Sequence, residues 1–161
     1  MLIPAILKKD EIIHNFQERY YSEDMLYETG CLDNWLPNIV DCPDGCTYQY
    51  AIVNNNDERK LLGYLAYKVN MNALCAYNFG LISFDKGNVI VGKDLYEKMQ
   101  ELLKTMHRIE WRMIGGNPVE RSYDKFCAKY GGEKFVFKDV LKDRYGNYRD
   151  NIVYEIITSN N

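Results

Sequence analysis

Phe79-Gly-Leu-Ile-Ser-Phe84, then Asp85-Lys-Gly-Asn-Val-Ile-Val91, a helix-patterned run from Gly92 to Met106, Ile109-Glu-Trp-Arg-Met-Ile114 and Gly115-Gly-Asn-Pro118 decide the fold. Together, and closed by Gly131, they read as strand, glycine-containing loop, helix, strand and the opening of a second helix. Two strands joined across a helix of this length all but require parallel pairing and a right-handed crossover. Such a unit aims a helix N-terminus, with its unpaired N–H groups, at the carboxyl ends of the strands, where an anion can be held.

The two helices carry their own signals. In the first, Leu95, Met99, Leu102, Leu103 and Met106 form a core stripe, while Lys93, Glu97, Lys98, Glu101 and Lys104 are expected to face water. Its methionines read as core filler, and His107 as a helix-end cation favoured by the macrodipole. In the second, Asn117 suits the N-cap, Pro118 the first helical position and Glu120 the reciprocal place in a capping box. Val119, Tyr123, Phe126, Cys127 and Tyr130 make its apolar face, and Gly131-Gly132 supplies its stop.

Upstream, the period changes to alternation. Tyr48, Tyr50 and Ile52 share one face of a strand, and Asn54-Asn-Asn-Asp-Glu58 is a polar turn. Leu61 to Val69 is nearly all apolar, as in a strand covered on both faces. A turn at Asn70 to Asn72 leads to a third long strand, Leu74 to Phe84. Connections this short make the three an antiparallel meander. Before them, Leu2 to Leu7 reads as a short strand that Pro4 confines to an edge. Asp10 is a plausible N-cap for a helix with Ile13, Phe16 and Tyr20 on one face, ending near Ser22. A short helix is expected over Glu23 to Thr29, stopped by Gly30, then an irregular or short helical cover from Leu32 to Val40 containing Trp35 and Pro37. Downstream, Glu133 to Leu141 places Phe135 and Phe137 on one face. Lys142 to Asp150 is a polar hairpin loop, and Asn151 to Ile157 carries Ile152, Tyr154 and Ile156. The tail, Thr158 to Asn161, is expected to fray. With no repeat, linker or low-complexity tract, residues 1–161 read as one α+β domain.

Composition narrows the function. The hydrophobic fraction of 47% is ordinary for a globular chain. The 14 tyrosines suit half-buried strands and pocket walls, where a ring packs while its hydroxyl keeps a partner. A net charge of −3 without a basic stripe argues against a nucleic-acid partner. No apolar run approaches the roughly 20 residues of a membrane helix. Met-Leu-Ile-Pro-Ala-Ile-Leu-Lys-Lys is apolar first and basic second, the reverse of a secretory signal, so a cytoplasmic location is expected. Cys31, Cys42, Cys46, Cys75 and Cys127, an odd number, suggest reduced thiols. Cys42-Pro-Asp-Gly-Cys46 is either half a zinc site or a plain Pro-Asp-Gly turn. His14 and His107 are isolated and no second close cysteine pair exists, so no metal is expected.

Element order and three stretches resemble the GNAT superfamily of coenzyme A-dependent N-acyltransferases. Leu62-Gly-Tyr-Leu-Ala66 is similar to its third strand, Gly92-Lys-Asp-Leu-Tyr-Glu-Lys-Met99 to the start of its phosphate-binding helix, and Asn117-Pro-Val-Glu-Arg-Ser-Tyr123 to the Asn that opens the helix beside the thiol end of the cofactor. The resemblance implies a mixed, mostly antiparallel sheet with a V-shaped splay between parallel strands near Phe79–Phe84 and Ile109–Ile114, and helices on both faces. It implies acetyl-CoA as co-substrate, a small-molecule or protein amine as acceptor, and a monomer or homodimer. The amine would attack the acyl carbonyl directly, which needs a base for its proton and an acid for the leaving thiolate. Cofactor contacts are then expected from Leu81, Ile82, Ser83, Gly87, Val89, Ile90, Val91, Gly92, Lys93 and Asn117.

The chain departs from the family's usual Gln/Arg-x-x-Gly-x-Gly/Ala loop. With Gly92 in the last position, Ile90 replaces the first glycine and Gly87 the basic residue, so the Ile90 side chain crowds a phosphate that must lie against backbone. Lys86, Gly87 and Lys93 offer a different loop path; alternatively, the loop only joins strand to helix. Counting forward from Asn117 makes Tyr123 the candidate general acid, whereas counting back from Gly131 brings Cys127 there. Glu110 is a candidate base, Asp85 another, and a water-relayed base a third. The alternatives to an N-acetyltransferase are a catalytically inactive binding or regulatory module of the same fold, and a cofactor-free protein whose strands stay fully paired with no wedge. The acceptor would be selected by Glu11–Val40 and Leu141–Arg149.

Overall fold

The computed structural model describes residues 1–22, 25, 36–40, 45–57 and 59–158. The helix expected over residues 23–29, its stop at Gly30, the cover at residues 32–35, Cys31, Cys42, Glu58 and the tail from residue 159 lie outside the described residues. So does most of the Pro-Asp-Gly segment that would have made the turn or half the zinc site.

In chain order the elements are β1 (Leu2–Pro4), a 3-10 turn (Ala5–Lys8), α1 (Lys9–Arg19), β2 (Thr47–Val53), β3 (Leu61–Asn70), β4 (Cys75–Ser83), α2 (Val89–Leu102), β5 (Arg108–Ile114), α3 (Glu120–Lys129), β6 (Glu133–Lys142) and β7 (Tyr148–Ile157). The strands form one sheet in the order β1-β2-β3-β4-β5-β7-β6. Every neighbouring pair is antiparallel except β4 and β5, which run parallel as the crossover between them demands.

Each face of the sheet has its own core. Ile12 and Phe16 of α1 pack with Ala5, Ala51, Val53, Tyr64 and Ile82 on one side. Leu95, Met99 and Leu102 of α2, with Tyr123, Phe126 and Cys127 of α3, pack against Ile52, Leu65, Phe79, Trp111 and Tyr154 on the other. Both faces of β3 are covered, and Tyr48, Tyr50 and Ile52 of β2 share the α2 side, as their alternation predicts. Gln49 anchors the chain ahead of β2. Its amide donates to Asn38 O and Tyr64 Oη, both at 2.9 Å, and its carbonyl accepts from Val40 N.

Several boundaries differ from the sequence-based expectations for local reasons. β1 ends at Pro4 because the chain turns at once into the 3-10 helix. That turn feeds α1 directly, so Asp10 falls in the first helical turn rather than at the cap, and the buried face centres on Ile12 and Phe16 while Tyr20 is exposed. α2 begins three residues before Gly92. Asn88 takes an extended conformation and its side-chain oxygen accepts from Ile90 N at 3.0 Å, which caps the helix there. It ends at Leu102, so His107 lies beyond it, in the turn into β5. Lys98 is not a water-facing residue: it lies over the Tyr50 ring at 5.3 Å. α3 begins at Glu120, yet Asn117 still holds its entry. Its Oδ1 accepts from Val119 N at 3.1 Å and its carbonyl from Glu120 N at 3.0 Å. Glu120 reaches back to Gly116 N rather than to Asn117. At the other end Gly131, at φ +68°, lets its own N–H bond Ala128 O while Gly132 N bonds Cys127 O, the expected glycine stop. β6 is an outer strand exposed on both faces, and the loop after it shortens to residues 143–147.

Gly63 sets the spacing of β3 and β4. A methyl group there would stand 2.5 Å from Ile82 O, a backbone atom that cannot swing away. Gly63→Ala should therefore lower stability by more than about 2 kcal/mol, read as a fall in melting temperature of at least about 4 °C.

The wedge arises from one residue. Between Ala66↔Gly80 and Lys68↔Tyr77, β3 advances two positions and β4 three, so β4 carries a bulge. Asn78 sits in it at φ +53°, a left-handed conformation that Asn tolerates better than most residues. The extra residue resets the alternation and brings Phe79 and Leu81 to the same face as Ala76. It also bends β4 away from β5, whose ladder ends after Cys75↔Arg108 and Ala76↔Ile109. Beyond those two pairs the strands diverge, as the resemblance implied.

Candidate active site

The diverging strands enclose a cavity of about 290 Å³. β4 contributes Phe79, Leu81 and Ser83, β5 contributes Trp111, Arg112 and Met113, and Leu95 and Met99 of α2 and Tyr123 of α3 close its side. The loop residues Lys86 and Gly87, and Asn117 to Val119 after β5, complete the rim. Polarity is graded. Nearest the apex at Ala76 and Ile109 the walls are aromatic and aliphatic, while Ser83, Lys86, Arg112 and Asn117 lie toward the carboxyl ends of the strands. Two cations and no carboxylate line it among the described residues. An elongated ligand with an anionic end matches that gradient.

Of the expected contact residues, Leu81, Ser83, Gly87 and Asn117 line the cavity. Ile82 points to the opposite core beneath α1. Val89, Ile90, Val91 and Gly92 belong to the first turn of α2 rather than to a loop: Val89 is 82% exposed, Val91 is buried and Ile90 packs on the α2-side core. Lys93 is exposed and pairs with Glu97 at 3.7 Å. The N–H groups of Asn88, Ile90 and Val91 already have internal acceptors in Asp85 O, Asn88 Oδ1 and Asn88 O. The helix entry is thus less open to an anion than a glycine loop, and Lys86 and Gly87 are the loop residues that meet the cavity.

That loop is pinned from several sides. Ser83 Oγ donates to Asp85 O at 2.9 Å, and the Asp85 carboxylate takes Lys60 at 3.2 Å and Asn88 Nδ2 at 3.1 Å. From α1, Arg19 donates to Ser83 O at 3.3 Å and to Phe84 O, with its guanidinium over the Phe84 ring. Asp85 is therefore a loop anchor outside the cavity. The Asn88 amide, then Lys60, holds its carboxyl below the ordinary 3.8, and Lys134, with a further bond from Tyr154, does the same for Asp124. Depressed carboxyls add stability above their unfolded-state values, and it is lost as pH falls through the folded-state ones. Urea midpoints should hold near neutrality and drop below about pH 4, with a smaller drop in Asp85→Asn.

Tyr123 is 9% exposed and faces the cavity, edge-on to Trp111, Tyr154 and Tyr96 at ring distances of 6.0, 5.9 and 6.2 Å. Cys127, one turn on, is buried behind it, its thiol 3.4 Å from Glu133 O, and burial pushes that thiol's pKa up. Glu110 is not on the cavity wall. Arg108 holds it at 2.8 Å, and it touches the wall only through Arg112 at 3.4 Å. Sequence reasoning passed over Asn78, Trp111 and Arg112. A lone Asn inside an apolar strand was the available sign of the bulge. The two β5 residues carry no such mark, because strand alternation alone does not show that both border a splay.

No protein-family model matches the chain, and no curated protein matches its sequence. Solved structures do. Ribosomal-protein-S5-alanine acetyltransferase from Vibrio fischeri is 20% identical, with a TM-score of 0.66 over 99% of this chain and 92% of that one. Spermidine/spermine N-acetyltransferase SpeG from Vibrio cholerae, solved with manganese, is 15% identical, with a TM-score of 0.58 over 71% and 66%. RimL, a ribosomal L7/L12 alpha-N-protein acetyltransferase solved with coenzyme A, is 17% identical, with a TM-score of 0.55 over 73% and 65%. The chain spans about two thirds of the length of the latter two. Likeness at these identities is one of fold, and the fold is that of the GNAT acetyltransferases. Among the described residues no three His, Cys, Asp or Glu side chains gather as a metal site, and no helix is long and apolar enough to cross a membrane.

Proposed function

We propose that this GNAT-fold chain is an N-acyltransferase that moves an acetyl (acyl) group from acetyl-CoA to an amine by direct attack in a ternary complex. The observation that carries this is the wedge: β4–β5 pairing stops after Ala76↔Ile109 and opens a cavity onto Tyr123. An extended pantetheine arm would lie along β4 beyond Ala76, where no strand stands opposite, and pair with its backbone. Lys86 and Arg112 would meet the phosphates at the wide end. In the reaction the amine nitrogen bonds to the acyl carbon, the carbon–sulfur bond breaks, the amine proton leaves to water and Tyr123 returns a proton to sulfur. Glu110 would act as base only through water, since it reaches the cavity wall through Arg112 alone. The acceptor is a small-molecule or protein amine; the structural neighbours acting on polyamines and on ribosomal proteins support either class.

One observation favours a second reading, a binding module of the same fold without turnover. Asn88 caps the helix entry that the family leaves open for phosphate. Calorimetry with acetyl-CoA, followed by a thiol-release assay over a panel of amines, decides between them. Binding with release supports the transferase, binding without release on any amine supports the module, and no binding at millimolar ligand removes both.

A further inference from the structure

Trp111 stands two residues past Ile109, the last β5 residue paired with β4, and is 2% exposed. Its ring is fixed by Tyr154, stacked at 5.1 Å and 11°, and by the edges of Tyr123 and Phe126 at 6.0 and 5.9 Å. Yet its indole nitrogen is enclosed and has no hydrogen-bond partner among the described residues. Folded proteins pair about nine in ten buried polar groups, so an orphan in the wall of a cavity calls for an acceptor.

We infer that the Trp111 indole N–H is a ligand-binding donor, taking a carbonyl oxygen of the acyl donor's arm, amide or thioester, where that arm reaches the narrow end of the wedge. The inference rests on the acyl-CoA reading and adds a contact on β5 facing the backbone contacts on β4. Phe79, Leu95 and Met99 offer a carbonyl no donor side chain, and on β5 Trp111 is the lining residue next after the end of the ladder at Ile109. Trp111 is thus the lining polar residue of β5 nearest the last paired residue, and the Tyr123 ring stands 6.0 Å from its own. The enclosed nitrogen is reached when neighbouring walls yield, and the walls include the thioethers of Met99 and Met113, which rearrange at small cost.

The test is the indole ¹⁵N–¹H resonance of Trp111 in protein whose other tryptophan is replaced, Trp35→Phe, titrated with acetyl-CoA while calorimetry reports binding. The expected result is a downfield shift with a weaker temperature dependence, both marks of a new hydrogen bond. Trp111→Phe should weaken acetyl-CoA binding about three- to tenfold, the loss of one neutral bond, and the resonance on folded protein decides the matter should that variant not fold. Binding heat with an unmoved indole resonance overturns the inference and leaves the acyl-CoA reading standing. Absence of binding heat overturns both.

Discussion

Asn78→Val is expected to destabilise the protein by about 1–3 kcal/mol and to weaken acetyl-CoA binding roughly tenfold or more. A β-branched residue is strongly disfavoured at φ +53°, so the bulge either persists under strain or is lost. Loss is the worse outcome. If β4 resumed a regular register, Phe79 and Leu81 would turn toward the α1 face, away from the core they now fill, and β4 would be free to continue its ladder with β5. Asn78→Gly is the control: glycine adopts the same backbone freely and should retain both stability and binding to within about 1 kcal/mol. Melting curves and calorimetry on the pair separate the conformational demand of the position from its side chain.

Tyr123→Phe is expected to lower turnover about 100-fold while acetyl-CoA affinity changes by less than about threefold. The substitution keeps the ring and its edge contacts with Trp111, Tyr154 and Tyr96, so it removes the hydroxyl alone, and a melting curve on the variant separates any loss of stability from the loss of turnover. Cys127→Ala is the contrasting case. Its sulfur lies in the core against Glu133 O, away from the cavity wall, so the expected result is a lower melting temperature by a few degrees with turnover largely kept. The reverse pattern, an active Tyr123→Phe and an inactive but folded Cys127→Ala, would move the acid to the thiol.

Much of the fold was legible because the signals were redundant. The β4-α2-β5 unit was bounded by glycines and carried a continuous stripe from Leu95 to Leu102, and parallel pairing followed from connection length. The meander and the Gly131-Gly132 stop rested on alternation and turn chemistry that no tertiary contact opposed. The misses are places where one side chain outweighed a pattern. Asn88 captured the Ile90 N–H and moved the start of α2 ahead of Gly92, turning an expected phosphate loop into a capped helix end. The 3-10 turn after Pro4 moved the start of α1. At the site, Leu81, Ser83, Gly87, Asn117 and Tyr123 line the cavity, while Arg112 and Trp111 became visible only once the splay placed β5 across from β4. Register beyond a bulge is a three-dimensional fact, and the sequence marks it by no more than Asn78.

The central claim is that the β4–β5 wedge is an acyl-CoA site, and a crystal structure grown with coenzyme A bears on it most directly. The account predicts the pantetheine arm between Phe79–Ser83 and Trp111–Met113, its thiol end near Tyr123 and its phosphates toward Lys86 and Arg112. Coenzyme A bound elsewhere on the molecule, or β4 and β5 hydrogen-bonded along their whole length, would contradict it.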